Sequence, residues 1–352
     1  MSLTIRPLDP AAAPAWDRFV LAHRDGTFFH RAAWHRVIEA AFGHRTHYVF
    51  AERDGAIVGV LPLGQVKTLL FGNTLISTPF CVYGGPLAAD AETAAALAAH
   101  AAGLLPGTRA RAVEFRYRDP PDAAGAAALD AGGWVGRPGL YVTFRKPIAA
   151  AGDTNLKAIP RKQRAMVRKG IQRGLTSVVD RDTARLHRIY AESVRNLGTP
   201  VFAPRYFRLL AEAFGEDCDV LTVMDDGTPI AAVLNFYFRD EVLPYYGGGT
   251  AEARARAGND FMYWEVMRRA AARGCRWFDF GRSKEGTGSY AFKHNWGFAP
   301  QPLHYRFHLA PGGTIPELNP LNPKFRLFIA AWKRLPLPVA KLLGPPIVRG
   351  LG

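Results

Sequence analysis

Lys293, in the last quarter of the chain, has the setting most suggestive of chemistry. It follows a glycine-rich stretch, Gly281-Arg-Ser-Lys-Glu-Gly-Thr-Gly-Ser-Tyr290, and aromatic side chains flank it at Phe292, Trp296 and Phe298. Backbone N–H groups of such a loop can hold an anionic oxygen, and a partly desolvated ammonium can stabilise a developing oxyanion. A lysine that only extends its ammonium to solvent at a sheet edge fits these residues equally well.

The segment before this stretch, Trp277-Phe-Asp-Phe-Gly281, is predicted to be a strand. Alternation along a strand places Trp277 and Asp279 on the same face. Asp279 could act as a general base or orient a substrate amine. A carboxylate that is held by a nearby arginine or by backbone N–H groups is the more ordinary arrangement.

A run of cations without any acid occupies residues 154–179. Pro160 and Gly174 predict a helix between them. Arg161, Arg164 and Arg168 share one face of that helix, and guanidinium groups in this arrangement suit phosphate. A solvated helix face is the alternative, although such faces normally mix the two signs of charge. The cations of the run are Lys157, Arg161, Lys162, Arg164, Arg168, Lys169 and Arg173.

The composition is that of a globular protein. The chain has 352 residues, 48% of them hydrophobic and 21% charged, which allows two domains and excludes a disordered or fibrous protein. A net charge of +15 favours polyanionic partners, although free use of arginine in a GC-rich genome explains it equally well. Cys81, Cys218 and Cys275 are far apart, and no metal-ligand spacing, nucleophile elbow or Cys-His pair occurs. Without an apolar leader or a run of ~18 apolar residues, we expect a cytoplasmic protein with no metal.

The order of predicted elements repeats in the two halves of the chain. Each half has a hairpin with an Asp-Gly turn, then a segment that ends in glycines, a helix and a further strand. This order predicts an α+β protein that is a tandem duplication, each domain being a mixed sheet with flanking helices. The alternative is that the two halves are unrelated, because any two domains of this class share part of this order of elements. The matched pairs are Gly55 with Gly227, Tyr83 with Tyr246, and Glu114 with Asp279.

Two composition changes divide the chain into three predicted regions. The stretch Ala149-Ala-Ala-Gly-Asp153 separates a first domain, residues 1–150, from a second, residues 151–310. Residues 311–352 form a proline-rich tail with one short helix, and after Glu317 the tail has six cations and no acid. Prolines exclude a bilayer-spanning helix. Amphipathic pieces of this kind suit the inner face of an anionic membrane, and packing on the second domain is an equal alternative.

Several of these segments resemble the tandem GNAT folds of FemAB-like aminoacyl or acyl transferases. The resemblance covers residues 1–310 and is closest over residues 155–300. The tail is similar to the branch of the family that is associated with exosortase (PEP-CTERM) systems. The matching stretches are Pro160-Arg-Lys-Gln-Arg-Ala-Met-Val-Arg-Lys-Gly170, Tyr245-Tyr-Gly-Gly-Gly249, the helix after Asn259, Trp277-Phe-Asp-Phe-Gly281, Tyr290-Ala-Phe-Lys-His-Asn-Trp-Gly-Phe298, Asn319-Pro-Leu-Asn-Pro-Lys-Phe-Arg326, Trp332-Lys-Arg-Leu-Pro-Leu-Pro338 and Gly344-Pro-Pro346.

The resemblance implies an acyltransferase that forms an amide on a cell-envelope or exopolysaccharide precursor, either lipid-linked or nucleotide-linked. It places Phe292 and Lys293 at the reaction centre. Asp279 is our first candidate for the general base, and a phosphate of the substrate is the second. No cofactor is bound permanently, and the donor is either aminoacyl-tRNA or acyl-CoA. The choice stays open because Arg254-Ala-Arg-Ala-Gly-Asn259 lacks the glycines of an acetyl-CoA pyrophosphate loop. The residues expected to bind substrate are Arg161, Arg164, Arg168, Tyr246, Gly247, Gly248, Arg282, Ser283 and Tyr290.

Two alternatives to this function stay open. One is an N-acyltransferase that depends on acyl-CoA. The other is a non-catalytic basic protein that binds an anionic polymer or nucleic acid. Most aromatic residues fall in predicted strands, which indicates core packing rather than base stacking, and we expect no DNA partner. A closed cleft that contains Lys293 and Asp279 would favour an enzyme.

Overall fold

The computed structural model describes residues 2–68, 71–315 and 323–352, which divide into two compact units. Both units are discontinuous along the chain. The described residues of unit 1 are 2–68, 71–141, 302–315 and 349–352, and those of unit 2 are 142–301 and 323–348.

This division corrects the predicted domain limits. The first unit ends at residue 141 rather than 150, because the strand Val142–Pro147 pairs with the strand Trp277–Ser283 of unit 2. The strand His304–Leu309, which we assigned to the second domain, pairs with Ala112–Tyr117 of unit 1. The tail is not a separate region, since its described residues are shared between the units.

The helices and strands are numbered in chain order. Before residue 142 they are β1 (Thr4–Pro7), α1 (Ala13–Ala22), α2 (Ala33–Phe42), β2 (Val49–Arg53), β3 (Ala56–Leu61), β4 (Leu63–Thr68), β5 (Gly72–Ser77), β6 (Leu87–Ala88), α3 (Ala91–Gly103), α4 (Leu105–Thr108), β7 (Ala112–Tyr117), α5 (Ala123–Ala131) and β8 (Val135–Arg137). From residue 142 they are β9 (Val142–Pro147), α6 (Gly152–Ala158), α7 (Arg161–Gln172), β10 (Thr176–Asp180), α8 (Thr183–Leu197), α9 (Pro204–Phe214), β11 (Cys218–Asp225), β12 (Thr228–Phe238), β13 (Glu241–Gly249), α10 (Ala251–Arg256), α11 (Gly258–Ala272), β14 (Trp277–Ser283), α12 (Gly288–Asn295), β15 (Pro300–Pro302), β16 (His304–Leu309), α13 (Pro323–Trp332) and α14 (Leu337–Val348).

The two units repeat one arrangement of strands, as the sequence predicted. Unit 1 has sheets of order β1-β2-β3-β6 and β4-β5-β7-β16-β8, and unit 2 is built on the sheet β10-β11-β12-β13-β14-β9-β15. Each unit has a hairpin whose Asp-Gly turn has positive φ at both residues, Asp54-Gly55 and Asp226-Gly227. Each also has one parallel pair, β5 with β7 and β13 with β14. The predicted α+β fold with two similar domains is therefore confirmed.

One of the three matched pairs does not correspond. Tyr246 lies within β13, whereas Tyr83 lies in the irregular segment between β5 and β6. Both tyrosines are followed by glycines, and this local likeness produced the match.

Helices cover both faces of the sheet in unit 2. On one face α11 packs Phe261, Met262 and Val266 into an apolar core that includes Val233 of β12. On the other face β13 lies so close to α8 that a Cβ atom at Gly248 would be 2.4 Å from Ser193 Cβ. Each fully buried large apolar side chain contributes about 1.5–3 kcal/mol, so packing on both faces of the sheet stabilises the positions of β13 and β14.

The parallel strands β13 and β14 separate after a short contact. Their register comprises only the pairs Glu241 with Trp277 and Val242 with Phe278. Beyond these pairs β14 continues along β9 on its other side, and β13 continues along β12. The strands thus diverge at the level of Asp279, the residue that the sequence singled out.

The tail forms two helices in unit 2 rather than the single short helix that we predicted. α14 contacts α8, and a Cβ atom at Gly344 would be 2.8 Å from the carbonyl oxygen of Val201. Pro345 and Pro346 lie inside α14, because close packing on unit 2 offsets their helix-breaking tendency. No helix among the described residues is long and apolar enough to cross a membrane. The predicted tail features at residues 316–322 lie outside the described residues.

Candidate functional site

A bulge in β14 shapes the backbone at the predicted reaction centre. Between Asp279 and Arg282, two residues of β14 oppose a single residue of β9. Gly281 lies in the bulge with a φ of 68°, in the left-handed region that favours glycine. The bulge directs the backbone carbonyls of Gly281 and Arg282 to one point, which Lys293 occupies.

Lys293 lies on α12, a helix whose first turn is capped by the Thr287 hydroxyl. Lys293 Nζ donates to the carbonyl oxygen of Gly281 at 3.0 Å and to that of Arg282 at 2.9 Å. The centroid of the Phe144 ring is 5.8 Å from Nζ. The ammonium is therefore fixed over the bulge and beside an aromatic ring, rather than extended to solvent.

The protonation of Lys293 is sensitive to pH near neutrality. Burial lowers its pKa from 10.5 to about 7, the charge of Asp279 raises the pKa in part, and that of Arg282 lowers it further. An ammonium carries three N–H donors, and two of them go to the carbonyls of the bulge. The third has no acceptor among the described residues, so Lys293 can donate it to the oxygen of a bound substrate.

Asp279 is a buried residue that stabilises the bulge in β14. The residue is 1% exposed. Its Oδ1 accepts from the backbone N–H of Gly281 at 2.6 Å and from the Thr143 hydroxyl at 3.3 Å. These bonds hold the bulge, and the carboxylate raises the pKa of Lys293. The geometry fits a positioning residue better than a general base that meets a substrate amine.

Three more of the predicted site residues lie beside Lys293. Tyr290 is half-buried, and its ring packs edge-on against Phe144. Arg282 contributes its carbonyl oxygen to the ammonium. Ser283 is buried, and its hydroxyl has no hydrogen-bond partner in the described structure. Phe292 points away from this group, because its ring packs against Tyr263 in the core.

The predicted residues of β13 belong to a different environment. Tyr246 is buried in an aromatic cluster on the face of α8 and α9, and its hydroxyl lies 2.9 Å from that of Tyr206. Gly247 and Gly248 are half-buried, and Gly248 allows the close approach to Ser193. The hydroxyl of Tyr246 is thus engaged in packing, Gly248 serves the contact between β13 and α8, and Gly247 lies against Val233 of β12.

Sequence reasoning missed the two residues of β9 that complete the site, Thr143 and Phe144. They lie some 135–150 positions before their partners, Asp279 and Lys293, and nothing in their local sequence indicates a functional site. Only the pairing of β9 with β14 reveals them.

The basic run forms helix α7, as predicted. Arg161, Arg164, Arg168 and two neighbouring residues line a recess of about 340 Å³. These three arginines have no acidic partner in the described part of the chain, and Arg164 donates to the carbonyl oxygen of Lys157 at 2.8 Å. Unpaired guanidinium groups around a recess are suited to phosphate.

The N-terminal turn of α11 already carries a negative charge. Asp260 lies in this turn, and its Oδ1 accepts from Trp296 Nε1 at 3.0 Å. Burial raises the pKa of Asp260, and the bond from Trp296 opposes that effect. Helix N-termini attract anions, but the Asp260 carboxyl occupies this one.

Comparisons with known proteins support the predicted duplication of GNAT-like domains. Residues 161–294, which include α7 and Lys293, match a family model described as acetyltransferase (GNAT) domain. No curated protein matches the chain in sequence.

Solved structures show the same fold over nearly the whole chain. A structure of FemX is 17% identical, with a TM-score of 0.67 over 86% of this chain and 96% of that one. The C-terminal domain of a putative lysylphosphatidylglycerol synthetase from Agrobacterium fabrum is 14% identical, with a TM-score of 0.57 over 86% and 92%. A tandem GNAT protein from the clavulanic acid biosynthesis pathway is 16% identical, with a TM-score of 0.54 over 88% and 98%.

Proposed function

We propose that this protein is an acyltransferase that forms an amide on a cell-envelope precursor. The proposal is supported by the match of residues 161–294 to an acetyltransferase (GNAT) domain and by the similarity of the fold to that of FemX. The observation that carries the proposal is the position of Lys293. Its ammonium is held by two carbonyls of the β14 bulge, where β13 and β14 have separated. A half-buried cation with one remaining N–H is an effective donor to a developing oxyanion.

The proposed reaction is direct acyl transfer. The acceptor amine attacks the carbonyl carbon of the donor ester or thioester, a C–N bond forms, and the carbonyl oxygen becomes an oxyanion. Lys293 donates its third N–H to that oxygen, which stabilises the transition state by about 3–4 kcal/mol. On collapse the C–O or C–S bond breaks, and the alcohol or thiol leaves with the proton that the amine loses. Positioning of the two substrates supplies much of the remaining acceleration.

We propose that the acceptor bears phosphate, as lipid-linked and nucleotide-linked precursors do. The similar lysylphosphatidylglycerol synthetase domain is named for an aminoacylated phospholipid. In this chain the recess on α7 provides Arg161, Arg164 and Arg168 for phosphate. The link to exopolysaccharide systems is a proposal that rests on the tail sequence.

Among donors, we propose an aminoacyl ester of tRNA ahead of acyl-CoA. An acyl-CoA carries a pyrophosphate, which helix N-termini commonly bind, yet Asp260 places a carboxyl in the first turn of α11. A carboxylate there repels an anion. The surplus of cations, +15 over the chain, suits a polyanionic donor instead.

The test offers the purified protein both donor classes together with envelope precursors that bear an amine. We expect mass spectrometry to find an acceptor whose mass has increased by one aminoacyl residue, and prior ribonuclease treatment of the donor should abolish the product. Product from acyl-CoA alone would establish the acyl-CoA-dependent alternative. Failure with both donors, with tight binding of polyanions, would support a non-catalytic protein.

The pH dependence separates an oxyanion donor from a base. Lys293 has a pKa of about 7, so its ammonium form predominates below that pH. We expect the ratio of kcat/KM for the parent to that for Lys293→Met to be largest below pH 7 and to fall about tenfold per unit above it. The ratio cancels the titration of the acceptor amine. A ratio that rises through pH 7 would instead show that Lys293 acts as a base.

Asp279→Asn provides the internal check on that profile. The amide oxygen can keep the bonds from Gly281 and Thr143, but the negative charge that raises the pKa of Lys293 is lost. In the Asp279→Asn background we therefore expect the ratio of kcat/KM without Lys293→Met to that with it to begin its fall at a pH below 7. If Asp279 had a purely structural role, the pH at which this ratio begins to fall would not change.

A further inference from the structure

The outer side of the tail presents apolar side chains that the described chain does not cover. One face of α14 packs on α8. The opposite face carries Val339, Leu342 and Leu343, whose exposed fractions are 38%, 75% and 44%. A helix that is apolar on both sides is normally buried on both sides.

Neighbouring elements add to this surface. Leu327 and Phe328 on α13 are 83% and 38% exposed, and Leu197 at the end of α8 is 64% exposed. α13 contacts the end of α8, because a Cβ atom at Gly198 would be 2.5 Å from Ile329 Cγ2. Just after α13, the carbonyl oxygen of Lys333 accepts from Arg195 of α8 at 3.4 Å. We call these exposed residues the outer apolar face, which comprises Leu197, Leu327, Phe328, Val339, Leu342 and Leu343.

The charges that the tail itself places beside the outer apolar face have one sign. Lys333 and Arg334 are exposed and Lys341 is half-buried. The sequence contains no acid after Glu317. Exposed helices in water normally carry both signs, whereas apolar residues alongside cations are typical of helices that lie on anionic membranes.

We propose that the outer apolar face docks on an anionic membrane surface. The apolar side chains would enter the boundary between headgroups and acyl chains, and the cations would lie among the phosphates. The helices have 10 and 12 residues, so they lie in the interface and do not span it. A second copy of the chain is a poorer occupant, because a two-fold contact would bring the cations of one face against those of the other.

Vesicle binding tests this proposal without any assay of activity, so its outcome is independent of the proposed function. The tail variant is Leu327→Asp/Leu342→Asp, and the matched control is Val135→Asp/Val178→Asp, which alters residues that are 44% and 40% exposed elsewhere. We expect the parent and the control to sediment with phosphatidylglycerol vesicles, and the tail variant to bind them at least tenfold more weakly.

The charge requirement is tested separately. Lys333→Gln/Lys341→Gln should weaken binding to phosphatidylglycerol vesicles roughly fivefold per charge and should leave the weak binding to phosphatidylcholine vesicles unchanged. Point variants are preferable to truncation, because Trp332, Ala340 and Val348 of the tail are buried. Circular dichroism and thermal melting should be the same for all variants.

Two results would overturn the proposal. The first is equal sedimentation of the parent and the folded tail variant. The second is light scattering that shows a dimeric parent and a monomeric tail variant, which would make a second copy the occupant.

Discussion

Replacing Lys293 by methionine is expected to lower kcat/KM by roughly 10²–10³, the usual loss when one oxyanion donor is removed. Methionine has nearly the same length and keeps the apolar contact with Phe144. It removes both bonds to the bulge carbonyls and the N–H that we assign to the substrate oxygen. The measurement is steady-state kinetics with the donor and acceptor that the product assay identifies.

The fold of this variant should be intact. Burial lowers the pKa of Lys293, so the native environment disfavours the ammonium, and its loss should leave the melting temperature equal or higher. Lys146→Met is a close control, because Lys146 is also partly buried and its Nζ lies 4.3 Å from the ring centroid of Phe298. Burial lowers the pKa of Lys146 too. If both variants lose activity equally, the assignment to Lys293 is wrong.

Reversing two charges on α7, Arg164→Glu with Arg168→Glu, is expected to weaken substrate binding roughly 10²-fold or more. A charge-assisted hydrogen bond to phosphate is worth about 1.5–3 kcal/mol, and reversal adds repulsion. The salt dependence of binding should become shallower, because fewer counterions are exchanged. Binding isotherms at several salt concentrations measure both quantities.

A matched reversal elsewhere in unit 2 controls for net charge. Arg205 and Arg208 lie exposed on α9, and their replacement by glutamate changes the total charge by the same amount. This control should bind within about twofold of the parent, because exposed ion pairs contribute little. A loss of affinity equal to that of the α7 variant would show a general field effect instead of a phosphate site.

The sequence predicted those features that short segments determine. The Asp-Gly pairs at residues 54–55 and 226–227 fix their hairpins through positive φ, and the acid-free run between Pro160 and Gly174 predicted α7. The aromatic residues at 292, 296 and 298 indicated an apolar setting for Lys293, and Lys293 is indeed half-buried, although the ring of Phe292 itself points into the core. Local sequence was sufficient in each case.

Features that depend on distant pairing were not predictable. The carbonyls that hold Lys293 point to it only because a bulge in β14 is set against β9, which comes from the other side of the predicted boundary. Tyr246 was expected to bind substrate because the stretch Tyr245-Tyr-Gly-Gly-Gly249 resembles the family, yet its packing with Tyr206 depends on where α9 lies. The tail helix continued through Pro345 and Pro346 because of tertiary contacts that propensity does not include.

The interleaved path of the chain has a consequence during synthesis. In unit 1, β7 and β8 both pair with β16, and residues 349–352 also belong to that unit. At ~5–20 residues per second, the ribosome takes roughly 8–35 s to pass from the end of β8 to β16. During that interval one edge of β7 is unpaired and β8 has no neighbour in its sheet. Unpaired backbone N–H and C=O groups of such strands can pair with other chains, which leads to aggregation. The unit made first is therefore completed last, and a nascent chain halted before β16 would depend on chaperones to stay in solution.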